Sequence, residues 1–443
     1  MDLISNLAQG LEVALAPSNL LSTLIGCLLG TLVGVLPGIG LVAILAMLLP
    51  AIYALPPLAA LSLLAGVYYG RPYGSATAAL GVQQTGGARV LPTSSDGYQM
   101  VRQGRAGPAL AAAGLGAFLA GWLGTLVLAA LVTALAPLAL QFGPAEYFAL
   151  MVLALVGAGV LASGALLKAL AMAVLGLLLG LVGTDAHFGV ARFAFDISEL
   201  SDGIGVVALA MGVFAYGEII SQLAQSEAAR EVLTAQVPDL WPTRQDVKDM
   251  APAVLRGSAQ GSLLGIPPNA ALALLVGALS IHQIPPGPQP MASNPELFWG
   301  LIASLCMGRL MLFVLHLLRI GIWIQRLSVP YRWLFPAIVL LCAMGIYGST
   351  HSRFDIWLVA VFGLVGYVFN KLDMAPAPLL LGFVLGPMME EHLRLALLQS
   401  GGDWSVFITR PLSVGLLASA LFMVVVALLP AVKSRRKAAL GQA

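Results

Sequence analysis

Charge is what this sequence has least of. Only 9% of its 443 residues are Asp, Glu, Lys or Arg, against about 25% in an ordinary soluble domain. So few charges cannot cover a water-facing surface, and that excludes the common soluble classes. The net charge of +2 gives no basic excess for a nucleic-acid partner. Cysteine is scarce too. Cys27, Cys306 and Cys342 each sit alone in an apolar run, which excludes a disulfide framework or a metal-ligand spacing. They read as small core residues. His187, His282, His316, His351 and His392 are dispersed, so no metal centre is expected. No nucleophile elbow, zinc-protease helix motif or phosphate loop appears, and no enzyme activity is expected. Met1 to Pro17 lacks Lys and Arg, so it is not a signal peptide and reads as a short amphipathic helix at an interface.

Apolar sequence is what fills the chain. Hydrophobic residues make up 59% and the mean hydropathy is +0.93. A spanning helix needs ~20 mostly apolar residues, and many such stretches are present. The expected fold is an all-α integral membrane protein of ten to twelve transmembrane helices. Apolar segments at 41–54, 73–88 and 377–388 are short or interrupted, and read as re-entrant or discontinuous helices. Lys and Arg in short loops mark the cytoplasmic side. Loop 89–105, segment 319–332 and the tail with Lys433, Arg435, Arg436 and Lys437 fall there, so the C-terminus is expected inside. Loop 184–202, with Asp185, Asp196, Glu199 and Asp202, is expected outside, as is loop 282–296. The expected organisation is a first transmembrane repeat at 1–223, a polar cytoplasmic connector at 224–253, a second and shorter repeat at 254–431, and a basic tail at 432–443.

Two interruptions could carry chemistry. In GCLLGTLVGVLPGIG at 26–40, Gly26, Gly30 and Gly34 share one helix face, which lets another backbone approach closely. Leu36, Pro37, Gly38 and Gly40 then break the helix. The freed backbone groups cannot be satisfied by lipid, and the next helix N-terminus carries partial positive charge. Such a break either binds an anion or only kinks and packs helices. Gly74, Ser75 and Thr77, in a Gly-rich stretch after Arg71 and Pro72, supply neutral hydrogen-bonding groups. Arg71 and Arg89 either pair with a carboxylate or sit at the interface. In LGIPPNAALAL at 264–274, Pro267 stops one helix and Asn269 caps the next, at a binding site or an ordinary turn. Paired interruptions in two halves point to a transporter binding site. Glu390 and Glu391, after Gly386-Pro387, read as a cation site or a helix-end interface.

GTLVGVLPGIG at 30–40, LLAGVYYG at 63–70, DGYQMVRQGRAG at 96–107, PPGPQPMASNPELFWGLIAS at 285–304 and GFVLGPMMEEHLRLALLQSGGDWSVFITRP at 382–411 resemble the large permease subunit of tripartite tricarboxylate transporters, the TctA type. The resemblance runs over nearly the whole chain. It implies a secondary transporter in a bacterial inner membrane, taking up citrate-like or other organic acids by symport with sodium or protons, with no cofactor. It implies two partners, a small four-span membrane subunit and a periplasmic solute-binding protein. The implied fold is two pseudo-symmetric inverted repeats, and the implied site residues are Leu36, Pro37, Gly38, Gly40, Gly74, Ser75, Thr77, Pro267 and Asn269. Two departures stand out. Val82-Gln83-Gln84-Thr85 replaces a Pro-Gly tip, and several tens of residues, including a second LPG-type hairpin, are missing between Gly257 and Leu264. A transport-inactive scaffold or sensor that still meets a solute-binding protein is the alternative.

Overall fold

The computed structural model describes residues 3–35, 41–81, 106–139, 142–162, 165–185, 188–223, 270–284, 294–326 and 331–429. Helix dominates, as the sequence predicts. In chain order the first four helices are α1 (Leu3–Ala14), α2 (Pro17–Val35), α3 (Leu41–Ile52) and α4 (Pro57–Gly81). Then come α5 (Ala106–Ala139), α6 (Pro144–Leu161) and α7 (Leu166–Gly180). A two-stranded hairpin, β1 (Gly183–Thr184) and β2 (Ala191–Arg192), pairs antiparallel. It leads to the short α8 (Ser198–Ser201) and to α9, built from Val206–Ala210, a π-helical turn Met211–Tyr216 and Gly217–Leu223. Further along are α10 (Ala270–Ile281), α11 (Pro295–Arg326), α12 (Tyr331–Thr350), α13 (Arg353–Lys371), α14 (Ala377–Gln399), α15 (Val406–Thr409) and α16 (Pro411–Leu428).

Among the described residues, five helical stretches are long and apolar enough to cross a bilayer: Pro17–Gly34, Ala111–Leu131, Pro295–Leu315, Arg353–Lys371 and Pro411–Leu428. Shorter apolar helices occur at Leu41–Ile52, Pro144–Val160, Leu166–Gly180 and Val206–Ser221. The chain is a multi-pass membrane protein. Large apolar side chains stand exposed where lipid is the matching solvent, among them Leu421, Phe422, Val425 and Leu428 on α16 and Trp357 and Leu364 on α13.

Among the described residues, two expected interruptions are not found. α4 runs on through Pro72 and Gly74 to Gly81, and α14 runs through Gly386-Pro387 to Gln399. Residues 73–81 and 377–388 are therefore parts of continuous helices, and 82–88 lie outside the described residues. Proline removes one backbone donor but does not forbid a helix whose neighbours hold it, and here glycine-lined packing does so.

The structure divides into two compact units. The first comprises 1–136, 225–266 and 284–337; the second comprises 137–224, 267–283 and 338–443. In the first unit, α2 lies along α4 with glycines on both sides of the seam. A Cβ added at Gly30 would sit 2.5 Å from the Val67 carbonyl oxygen, and one at Gly26 or Gly34 would meet the Leu63 or Arg71 carbonyl. In return, Gly66 and Gly70 face the backbone of α2 at Thr23 and Cys27. The single glycine face expected on α2 thus has a matching face at Gly66, Gly70 and Gly74. α11 closes over the pair, with Cys27 Sγ donating to the Gly308 carbonyl at 3.4 Å. α1 packs on the start of α11, where Gly10 abuts Trp299.

The second unit repeats the device. Gly176 and Gly180 of α7 lie on the Leu379 and Phe383 carbonyls of α14, and Gly382 and Gly386 lie on Ala173 and Leu177 of α7. A third seam joins α9 to α13. Gly212 rests on Val359 and Phe362, Gly217 on Gly366, and Gly366 on the Val213 carbonyl. Gly212 and Gly217 are five residues apart, which in an α-helix places them about 140° apart. The π turn between them closes i→i+5 hydrogen bonds and brings both glycines round to α13. The sequence gives no pattern from which this turn could be read.

Candidate functional site

The first candidate region is the end of α2. Gly34 lies in its last turn, and a Cβ there would meet Gly74 Cα and Ser75 N at 2.9 Å. The glycine seam therefore carries Gly74 and Ser75 to the point where the chain leaves α2 for Leu36–Gly40. Ser75 Oγ donates to the Pro72 carbonyl at 3.1 Å, so this hydroxyl meets the backbone of its own helix. Thr77 follows within the same helix. α3, only 12 residues long, then packs back on α4 and α2. Leu36, Pro37, Gly38, Gly40, Pro267 and Asn269 lie outside the described residues, as do Arg89 and the connector 224–253. Arg71 is half-buried in the middle of α4, and its carbonyl faces Gly34.

The second region is an ion cluster where the 183–192 hairpin meets α14. Arg394 donates to Asp185 Oδ2 at 3.0 Å and to Glu390 Oε1 at 2.6 Å. Arg192 Nη1 donates to the same Glu390 oxygen at 2.8 Å and lies 3.7 Å from Asp185. Asp185 is buried while both arginines are about a third exposed. Glu390 supports the Arg192 guanidinium so closely that its pKa is raised above the ordinary value. Phe188 covers Arg394, with the guanidinium carbon 5.2 Å from the ring centre. Two carboxylates and two guanidiniums close on one another, so Glu390 fits the interface reading, not the cation-site reading. It does so inside a helix rather than at its end. Among the described residues, no group of three or more His, Cys, Asp or Glu could hold a metal ion.

Around the ion cluster, the C-terminal block is devoted to holding α14 in place. The His392 ring stacks on Tyr147 with centroids 4.9 Å apart. Arg410 Nη1 donates to the buried Glu146 at 3.1 Å, and Glu146 also accepts from the Gly143 N–H at 2.9 Å at the start of α6. Gly401 and Gly402 take positive φ in the turn after α14. Asp403 then accepts from the Ser405 N–H and hydroxyl at 2.8 and 2.6 Å, which holds its carboxyl below the usual range.

One buried charge does not stand out in the sequence reading. Arg309 sits in the middle of the apolar helix α11 and is 91% buried, with its guanidinium 4.4 Å from the Tyr69 ring centre. A charge inside a span is a functional signal by itself, and that signal was there to be found.

The family model for the tripartite tricarboxylate transporter TctA family matches residues 20–268 and 262–381. A protein of Agrobacterium vitis, described as an uncharacterized 52.8 kDa protein in the TAR-I ttuC' 3' region, is 44% identical over 494 aligned positions, covering 98% of each chain. A second, described as an uncharacterized protein in the TAR-II ttuC' 3' region of the same organism, is 49% identical over 173 residues, 39% of this chain and 72% of that one. No solved structure matches. The first relative is heavier than this chain's 45.9 kDa, and the alignment is longer than its 443 residues. The family match breaks into two blocks at 262–268, beside the stretch between Gly257 and Leu264 where the sequence reads as shortened. With matches over most of its length, this chain belongs to the TctA family of tripartite tricarboxylate transporters.

Proposed function

We propose that this chain is the large permease subunit of a tripartite secondary transporter that takes up tricarboxylates or related organic acids by symport with sodium or protons. It sits in a bacterial inner membrane with its C-terminus in the cytoplasm. Its partners are a small four-span membrane subunit and a periplasmic solute-binding protein. The observation that carries this reading is the glycine seam of α2 and α4, which delivers Gly74 and Ser75 to the last turn of α2, immediately before Leu36–Gly40. Pro37, Gly38 and Gly40 disfavour a continued helix, and the start of α3 adds partial positive charge. Together they suit a carboxylate without lysine. On this reading the corresponding interruption of the second half is assigned to Pro267 and Asn269.

A second reading, a membrane scaffold or sensor that no longer transports, draws support from the missing stretch in the second half. Uptake separates the two. Cells carrying this chain and its partners are expected to accumulate radiolabelled tri- or dicarboxylates, and to stop when the sodium and proton gradients are collapsed. Absence of uptake for every anion tried, with the chain inserted at normal levels, selects the scaffold.

The break itself has a separate test. Gly38→Leu is expected to reduce uptake by about a hundredfold or more, the scale on which misplacing a positioned group acts, while the membrane level stays unchanged. Normal uptake in that variant would mean that the interruption only packs helices.

A further inference from the structure

We infer that Arg309 is an anion-binding position, receiving a carboxylate group of the transported organic acid. α11 is 32 residues long, and Arg309 lies near its centre, about 21 Å from its start at 1.5 Å per residue. It falls within the apolar stretch Pro295–Leu315. Its side chain is held among elements of the first unit. The Tyr69 ring of α4 lies against one face at 4.4 Å. Gly121 of α5 leaves its Cβ position to the guanidinium, because a Cβ there would collide with Nη1 and lie 2.7 Å from Cζ. Phe118 and Phe313 stack beside it, one turn away on α5 and α11.

Among the described residues, neither Nε nor Nη1 has a hydrogen-bond partner, and neither is exposed to solvent. No Asp or Glu among the described residues forms an ion pair with it. Arginine keeps its charge in a protein. An unpaired guanidinium in an apolar helix is costly, and the face of one ring offsets only part of that cost. Packing alone is better served by leucine or methionine at such a site. A ligand carboxylate supplies the missing charge. Each two-donor edge of a guanidinium includes either Nε or Nη1, so either edge can receive the carboxylate in a fork. Gly121 of α5 lies against the guanidinium, so the anion reaches it when α5 draws back from Arg309.

The identity of the anion rests on the transport reading above; the site itself does not. Two variants and two readouts test it. Arg309→Lys keeps the charge and loses the fork, and is expected to raise the KM for uptake about tenfold with a smaller change in kcat and an unchanged membrane level. Arg309→Met, of similar length, is expected to abolish uptake. In detergent-purified protein, millimolar citrate, tartrate or succinate is expected to raise the melting temperature of the wild type, and to do so less for Arg309→Lys and not at all for Arg309→Met. Wild-type KM in Arg309→Lys, an equal shift in all three proteins, or no shift in the wild type with any of the three anions overturns the assignment. If the wild type transports nothing while citrate still stabilises it only through Arg309, the transport reading falls and the anion site stands.

Discussion

Gly30→Leu is expected to remove the folded protein from the membrane, whatever it does to transport. The Cβ of any replacement would lie 2.5 Å from the Val67 carbonyl oxygen and 2.8 Å from Val67 Cα. These neighbours are backbone in a helix, so no side-chain rotation relieves the contact. Even Gly30→Ala forces α2 and α4 apart, at about 1–3 kcal/mol for overpacking. A leucine also holds the flanking glycines off their partners, so Gly26, Gly34, Gly66 and Gly70 lose close packing together. Between helices in lipid, that packing is the main attraction, because apolar side chains gain little by leaving lipid for protein. Membrane level is expected to fall to roughly a tenth or less, on the principle that a few kcal/mol exceeds the stability margin of most proteins. Gly415→Leu is the matched control. Gly415 lies in α16 with nothing within 4 Å of an added Cβ, and replacing an open helical glycine gains up to about 1 kcal/mol. Equal levels for both variants would show that the seam does not hold the first unit together.

The contrast with Gly38→Leu separates fold from function within one motif. In GCLLGTLVGVLPGIG the first three glycines are packing residues, each placed against a carbonyl of α4. The last two, Gly38 and Gly40, come after the end of α2 in the sequence and lie outside the described residues. Spacing distinguishes them: glycines four apart keep one helix face, whereas Pro-Gly-x-Gly keeps none.

The helical fold, the membrane assignment and the α2 seam were legible because each rests on local composition or on a period of about four residues. The continuity of α4 and α14 was not. Pro72 and Pro387 look like breaks in a sequence, and only the facing glycines of α2 and α7 show what carries the helix past them. The π turn at Met211–Tyr216 was hidden for a related reason. Two glycines five apart match no helical period, and their common face exists only once α13 is in place. The site was read from interruptions, and of its residues the structure joins Gly74 and Ser75 to the end of α2. Arg309 lies in no helix break, yet one arginine in a run of apolar residues is an equally physical signal. The block at 382–411 is specific in sequence, but its residues serve as fastenings. Gly382 and Gly386 seat α14 on α7, Glu390 and Arg394 hold the hairpin, His392 stacks on Tyr147, and Arg410 holds Glu146.

Asp185→Ala is expected to be the most damaging single change outside the glycine seams. Asp185 and Glu390 balance Arg192 and Arg394, and Asp185 is the most buried of the four. Its removal leaves two guanidiniums sharing one carboxylate. Breaking a buried pair from one side costs about 3–5 kcal/mol; with both arginines about a third exposed, solvent reduces this to about 2–4 kcal/mol. The hairpin also depends on Asp185 directly, because its carboxylate accepts the Phe188 N–H at 3.3 Å and its own N–H donates to the Val190 carbonyl at 2.9 Å. Loss of the side chain therefore frees the turn as well as the charge. Hydrogen exchange at the 188–192 amides is expected to rise before the helices open. Asp185→Asn, which keeps the shape and a hydrogen-bonding oxygen, is expected to recover the turn but not the charge balance, and to fall between the wild type and Asp185→Ala in melting temperature. Pairing Asp185→Ala with Arg394→Ala measures the bond itself. A coupling energy above about 1 kcal/mol is expected for groups in direct contact. Strict additivity, with unchanged exchange in the hairpin, would mean that water already screens the cluster and that α14 is held by its glycines and the His392–Tyr147 stack.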